Sequence, residues 1–355
     1  MITAWERIGE EGLLKDILFI EGLWNSSNVY AIDCDELTLI DTGNDYTIFF
    51  ELKDLRDISE IRNVFLTHSH NDHSLGLLEL IRGYADFRDV RVYVHESVKE
   101  GLEKRLERLD RRDIEVVGLR GGELLKFGDY EFRALYTPGH TIDSMCLYNE
   151  DYGVLFSGDS VVVNPVIDDV MGGTLRDYII SLRFLRNLKV NAILPGHGYY
   201  ALEGCKEILD KAYLKAISFL APDKPLKDAA ISALKMGLVD EAEFALEKHI
   251  EDNEDDEEAL IGLASIKADK GLYDEVVKLL SGLIKRNNFE ALRIAAMAAM
   301  NVRRYDEAIE FFKRALKIKH DKRLKIMLGA ALYESGRIDE ALKIEEFKEV
   351  FQSQY

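Results

Sequence analysis

Within six residues, His68-Ser69-His70-Asn71-Asp72-His73, the chain sets three imidazoles and a carboxylate directly after the apolar run Val64-Phe65-Leu66. Such a segment makes a poor core and a wasteful surface. Its donor atoms are those that a borderline-soft divalent cation such as zinc or iron prefers. Three further candidate ligands recur in similar settings: His140 in Thr137-Pro138-Gly139-His140, Asp159 in Ser157-Gly158-Asp159, and His197 in Pro195-Gly196-His197-Gly198. Each stands beside glycine after an apolar stretch, Phe132 to Tyr136, Val154 to Phe156 and Ala192 to Leu194. Glycine and proline end strands and turn the backbone sharply, so distant segments can bring ligands to one rim. With Asp72 and His73 counted, the candidates number seven, enough for two metals.

The order HxHxDH, lone His, Asp, final His resembles the metallo-β-lactamase superfamily over roughly residues 10 to 220. Asp41 in Leu39-Ile40-Asp41-Thr42-Gly43 matches a further position of that pattern. The resemblance implies an α/β fold, an αβ/βα sandwich with two sheets face to face, helices outside and metals at one edge. It implies that His68, His70 and His140 hold one metal, that Asp72, His73 and His197 hold a second, and that Asp159 bridges them. Two divalent metal ions are expected, zinc first, with iron or manganese as alternatives. Their chemistry would be a bridging hydroxide attacking an acyl carbon, since bound water falls from a pKa of ~15.7 to about 7. Asp72 is the expected proton carrier, and Asp41 the partner that fixes a ligand histidine's tautomer from behind.

Within the superfamily, glyoxalase II-like and lactonase-like hydrolases resemble this chain in Thr67 to His73, in Tyr178-Ile179-Ile180-Ser181-Leu182 and in Pro195 to Gly198. The expected function is therefore a dinuclear metal-dependent hydrolase of an ester, thioester or lactone. A mononuclear-iron persulfide dioxygenase-like enzyme is the alternative, and a phosphodiesterase or nuclease ranks below it. His70 in place of Glu argues against the flavo-diiron relatives. Asn164-Pro165 and Gly172-Gly173 bracket a candidate flap, Ser160 to Gly173. Tyr199 and Tyr200 are candidates for an oxyanion donor or for core packing, with packing favoured. His95 is read as structural or as a partner behind a ligand, and His249 and His320 as solvated surface residues.

The net charge of −19 is uneven: 24 basic against 38 acidic residues precede Pro222, and 22 against 27 follow. Nucleic-acid binding depends on Lys and Arg displacing counterions, so a nucleic-acid partner is not expected. The Lys104 to Arg112 cluster is interleaved with Glu103, Glu107 and Asp110 and reads as an ion-pair-laced helix. No start resembling a signal peptide and no run of ~18 apolar residues is seen, so a cytoplasmic, membrane-free protein is expected. Cys34, Cys146 and Cys205 have no CxxC spacing and predict no disulfide framework.

Beyond Ala221-Pro222-Asp223-Lys224-Pro225, apolar residues recur at helical spacing, which divides the chain into 1–221 and 222–355. Leu238-Val239-Asp240-Glu241-Ala242 recurs at Asp274, Asp306 and Asp339, with spacings of 34, 32 and 33 residues. Gly237, Gly271 and Gly336 precede three copies, and Arg303 the other. From Pro225 to Phe347 this resembles the tetratricopeptide repeat, which implies stacked helix pairs offering a surface to a protein partner or a second copy. The Asp residues are expected to cap the second helix of each pair.

Overall fold

The computed structural model describes residues 4–44, 47–163 and 172–353. The chain divides into two compact units, Met1–Ala216 and Ile217–Tyr355. The candidate flap falls largely on residues 164–171, outside the described residues.

The first unit is built on two sheets. One runs in sequence order through β1 (Glu6–Arg7), β2 (Ile17–Ile20), β3 (Val29–Asp33), β4 (Leu37–Ile40), β5 (Ile61–Phe65), β6 (Val90–His95) and β7 (Ile114–Leu119). The other is ordered β12 (Ala192–Pro195), β11 (Val154–Gly158), β10 (Met145–Asn149), β9 (Tyr130–Tyr136) and β8 (Leu124–Phe127). Helices α1 (Gly12–Lys15), α2 (Thr47–Leu52), α3 (Asn71–Gly83), α4 (Glu96–Arg108), α5 (Leu175–Leu185) and α6 (Cys205–Ser218) complete the unit, α6 crossing its boundary.

Strand periodicity of two dictates which side chains meet. On β3, Tyr30 and Ile32 join Phe65, Tyr93, Phe132, Leu147 and Phe156 in a core fed by both sheets. The alternate residues Val29 and Ala31 belong to a second core, where Val64, Val92 and Val116 pack against Phe49 of α2, Leu77 and Ile81 of α3 and Leu106 of α4. The first sheet is thus apolar on both faces, as its parallel pairs β4–β5, β5–β6 and β6–β7 require. This is the α/β sandwich expected from the motif order.

The second unit is helical: α7 (Leu226–Lys235), α8 (Val239–Asp252), α9 (Glu257–Asp269), α10 (Tyr273–Leu279), α11 (Ser281–Lys285), α12 (Phe289–Asn301), α13 (Tyr305–Ile318), α14 (Lys322–Glu334), α15 (Ile338–Ala341) and α16 (Glu345–Ser353). Alanines at the crossings, among them Ala264, Ala295, Ala299, Ala308 and Ala331, are fully buried and let the helices approach closely. Lys267 ties the pairs together, reaching Glu243 and Glu247 of α8 and Glu275 of α10.

Two expectations fail here. Asp240, Asp274, Asp306 and Asp339 lie in the first turn, while Leu238, Leu272, Arg304 and Arg337 hold the N-cap positions without a side-chain bond. The aspartates act instead on the helix dipole. The side-chain caps are Asp256, Asn288 and Asp321, which open the first helices of the repeats. His249 is buried rather than solvated, because its Nε2 lies 3.1 Å from Oδ2 of Asp256. His320 is exposed.

Candidate metal centre

All the candidate ligands follow the carboxyl ends of strands. His68, His70, Asp72 and His73 follow β5, His140 follows β9, Asp159 follows β11 and His197 follows β12. β9, β11 and β12 run in one direction, because β10 is antiparallel to β9 and β11, and β11 is parallel to β12. Their ends therefore share one edge. His70 occupies the N-cap position of α3 without a side-chain cap bond, so Asp72 and His73 ride on the first turn. That turn is held by neighbouring loops, with Thr42 N–H donating to the His73 carbonyl at 2.8 Å and Ser27 N–H to that of Asp72 at 3.0 Å.

Two groups form: His68, His70 and His140, and Asp72, His73, Asp159 and His197, the donor atoms of each lying within 4.8 Å of one another. Asp159 faces both. Its Oδ2 is 3.5 Å from Nε2 of His140 and 3.5 Å from Nε2 of His197, and its Oδ1 is 3.3 Å from Nε2 of His73. Within the two groups, Nε2 of His140 is 3.2 Å from Nδ1 of His70, and Nε2 of His197 is 3.1 Å from Oδ2 of Asp72. Such proximity needs a residue without a side chain nearby. A Cβ on Gly196 would stand 2.4 Å from Oδ1 of Asp159 and 2.5 Å from Cε1 of His73.

Whether these residues fit a cation is decided by their unspent atoms. Nε2 of His68, Nε2 of His73 and Oδ1 of Asp159 are buried and make no hydrogen bond. An unsatisfied buried polar group costs ~1–3 kcal/mol, more if charged, and with one such atom in the first group and two in the second, each group calls for a positive partner. Burial, aided by the neighbouring His73, pushes the His68 imidazole well down and leaves it neutral with a free lone pair. Burial opposes charge on His73 too, but Asp159 and Asp41 outweigh it and push that imidazole well up. Burial likewise opposes charge on Asp159, yet the surrounding histidines, His73 foremost, hold its carboxyl below the usual range. The carboxylates that favour a positive charge on His73 would equally favour a cation at its Nε2 in place of the proton, and the set then offers imidazole nitrogens and ionised oxygens, the donor chemistry of a two-cation site.

Behind it, Asp41 is a hub with a left-handed backbone (φ 56°). Its Oδ2 lies 2.7 Å from Nδ1 of His73 and accepts the Thr67 hydroxyl at 2.8 Å, while Oδ1 accepts the Thr67 N–H at 2.8 Å. Asp143, which sequence reasoning missed, accepts the Ser69 N–H at 2.8 Å and so pins the ligand loop. Trp24 and Ile142 were missed as well. They are 99% and 63% exposed, on the loop that holds Asp72 and two residues after His140. A tryptophan close to the glycine and asparagine of a short turn segment was the available signal. Tyr199 is 69% exposed, against the core reading, because the turn after His197 projects it outward. Tyr200 does pack, its ring 5.2 Å from that of Phe19. His95 caps α4, its Nδ1 accepting the Ser97 N–H at 3.3 Å, and its ring stacks on Tyr136 at 4.5 Å.

Comparison with known proteins agrees in family. Residues 22–197 match the model of the metallo-beta-lactamase superfamily, and residues 302–344 that of the tetratricopeptide repeat. Thioesterase pkgB of Emericella nidulans is 33% identical over 45% of this chain and 42% of its own length. Atrochrysone carboxyl ACP thioesterase AacuM of Aspergillus aculeatus is 32% identical over 48% and 50%. The chain thus spans half or less of the length of these curated relatives. A metallo-beta-lactamase family protein of Thermus thermophilus aligns over 68% of this chain and 95% of its own, with 22% identity and a TM-score of 0.46. Through its strand-end histidines and aspartates, its paired sheets and the match over residues 22–197, the chain belongs to the metallo-beta-lactamase superfamily.

Proposed function

We propose that the chain is a metal-dependent hydrolase whose substrate is a thioester. The observation that carries this reading is the cluster of buried, unbonded donor atoms on His68, His73 and Asp159, encircled by His70, Asp72, His140 and His197. The choice of thioester over other acyl compounds follows the printed activities of the relatives, thioesterase pkgB and the atrochrysone carboxyl ACP thioesterase.

In this reading His68, His70 and His140 would hold one divalent cation, Asp72, His73 and His197 would hold another, and Asp159, which faces both groups, would serve either. Two such cations supply Lewis acidity and a water acidic enough to ionise near neutral pH, at a pKa of about 7. The chain's own residues do the rest. Asp41 keeps the proton of His73 on Nδ1, leaving Nε2 free to ligate. Asp72, half-exposed and beside His197, is the carboxylate placed to accept a proton from the solvent side and return it to the departing thiolate. Asp143 and Thr67 keep the loop from shifting. Trp24, Ile142 and Tyr199 offer apolar surface near the rim. The division of labour follows the sequence boundary: residues 1–221 carry the reaction, and the repeats of 222–355 carry contacts to a protein partner or a second copy. Among the described residues, no helix is long and apolar enough to cross a membrane.

Metal content per chain, measured by mass spectrometry on protein purified without chelator, tests the reading together with release of free thiol from acyl-coenzyme A and acyl-pantetheine. Two ions per chain and thiol release abolished by a chelator are expected. A single iron, or full activity after metal removal, would overturn it.

A further inference from the structure

Alongside the ligand loop lies a cavity of about 270 Å³ between α3 and α4, with His68, Ser69 and Asp143 lining it at the strand-end edge. Its walls are aliphatic: Leu77 and Leu78 from α3, Val98 and Leu102 from α4, over Leu66 and Val94. Those leucines and valines belong to or pack on the core between the first sheet and its helices, so the floor is apolar, while His68, Ser69, Ser74, His95 and Asp143 give the cavity a polar side. From Val98 to Arg105 the cavity follows α4 for two turns, ~10 Å at 1.5 Å per residue. Arg105 at the far end is exposed and has no ion pair among the described residues, so its charged head stays in water above its stem.

Gly101, an exposed residue, belongs to the cavity lining. It lines the wall from the middle of α4, where glycine costs about 1 kcal/mol relative to alanine. Its φ is not left-handed, and a Cβ built on it would meet nothing within 4 Å. Neither backbone conformation nor packing within the protein therefore calls for glycine. Gly101 is exposed, so the space beside it is open to solvent, and a side chain placed there would enter the open side of the cavity.

We propose that this cavity receives the acyl chain of the substrate, an unbranched aliphatic chain of medium length. The proposal rests on the thioester reading above. His68 belongs both to the cation cluster and to the cavity wall, so a carbonyl at the cluster and a chain between the helices are adjacent parts of one ligand. The ~10 Å that the cavity follows along α4 sets the length of chain it takes. The cavity is just below the ~300–1,000 Å³ usual for small-molecule sites, in keeping with one slim chain.

The test is substitution of Gly101 by Leu, with Gly101→Ala as the milder control, on the metal-loaded protein. Both should melt at or above the wild-type temperature, because each replaces a helix-interior glycine by a better helix former with room for its Cβ. The ratio of kcat/KM for decanoyl- over acetyl-coenzyme A should fall at least tenfold in the Gly101→Leu variant, with Gly101→Ala between it and wild type. Calorimetric titration with decanoate, which needs no turnover, should give binding to wild type and a loss of at least tenfold in Gly101→Leu. An unchanged chain-length ratio, or decanoate binding that the leucine leaves intact, would overturn the proposal. If no thioester is hydrolysed by wild type, the thioester reading fails, and the titration alone then judges the cavity: no binding of decanoate would overturn it too.

Discussion

Asp41 and His73 are joined by a 2.7 Å contact between Oδ2 and Nδ1, in a site where both side chains are buried. Because Thr67 occupies the remaining directions of the carboxylate through its amide and hydroxyl, Asp41 has no freedom to act elsewhere. Replacing it by Asn should be worse than its size suggests. The amide's NH₂ would face either Nδ1 or a Thr67 donor. If it faces Nδ1, it drives the His73 proton onto Nε2, the atom that points at the cluster. Mutation of such a partner costs 10–100-fold in metal affinity. Chelator competition should register a loss in that range for Asp41→Asn, and an affinity within twofold of wild type would remove Asp41 from the site.

Asp159 makes a different claim. Its Oδ2 is equally distant, at 3.5 Å, from His140 in one group and His197 in the other. Removing it would deprive both groups of the carboxylate they share, and on the two-cation reading the ions would then repel each other unscreened. Asp159→Ala should lower the metal content from two ions per chain to one or fewer and abolish thioester hydrolysis, while circular dichroism stays native. Hydrolysis within tenfold of wild type would sink the two-cation mechanism.

The three cysteines offer a pH prediction. Cys146 is fully buried, and burial pushes its thiol up to about 11, against partial relief from Thr137. Cys205 is buried and Cys34 half-buried, and burial raises both. At pH 8 a disulfide reagent should therefore modify Cys34 first and leave Cys146 untouched until the protein unfolds. The linkage has a definite sign. A folded pKa above the ordinary value of 9.0 means that folding is unaffected below pH 9, where the thiol is neutral in both states, and is progressively opposed as pH rises from 9 towards about 11 and the unfolded chain's thiol ionises. Urea midpoints measured from pH 8 to 11 should fall less in Cys146→Ser than in wild type, the serine hydroxyl having no such ionisation.

The gathering of His68, His70, Asp72, His73, His140, Asp159 and His197 was legible in sequence because each lies in a short segment that ends a strand, so local pattern and global position coincide. Asp41 was legible for the same reason. Trp24, Asp143 and Gly101 were not. Asp143 matters through the Ser69 amide it meets across the fold, Gly101 through the cavity it lines, and Trp24 only through its loop, whose Ser27 amide holds the Asp72 carbonyl. His249 was misread because its partner, Asp256, opens the following helix, and a residue near a helix end looks solvated until the return of the chain is known. The repeats were legible as a period but not in their capping. The sequence repeat places Asp at one position, and only hydrogen bonds tell the cap from the first turn.

Each repeat turns its corner in the same way, and one does so with the wrong residue. Leu238, Leu272, Arg304 and Arg337 each donate their N–H to a carbonyl five residues back, on Ala233, Lys267, Ala299 and Leu332, closing the helix before them. The preceding position must be left-handed. Gly237, Gly271 and Gly336 supply this at φ 75°, 76° and 83°, but the fourth corner uses Arg303 at φ 62°. A side chain there costs ~1–2 kcal/mol, of which the flexibility of glycine in the unfolded chain returns part, ~0.5–1 kcal/mol. Arg303→Gly should therefore stabilise the repeats by about 0.5–1 kcal/mol, and Gly271→Ala should destabilise them by about 1 kcal/mol. Urea denaturation followed by far-ultraviolet circular dichroism reads both. A loss of stability in Arg303→Gly would mean that the arginine side chain holds the corner, not that the corner merely tolerates it.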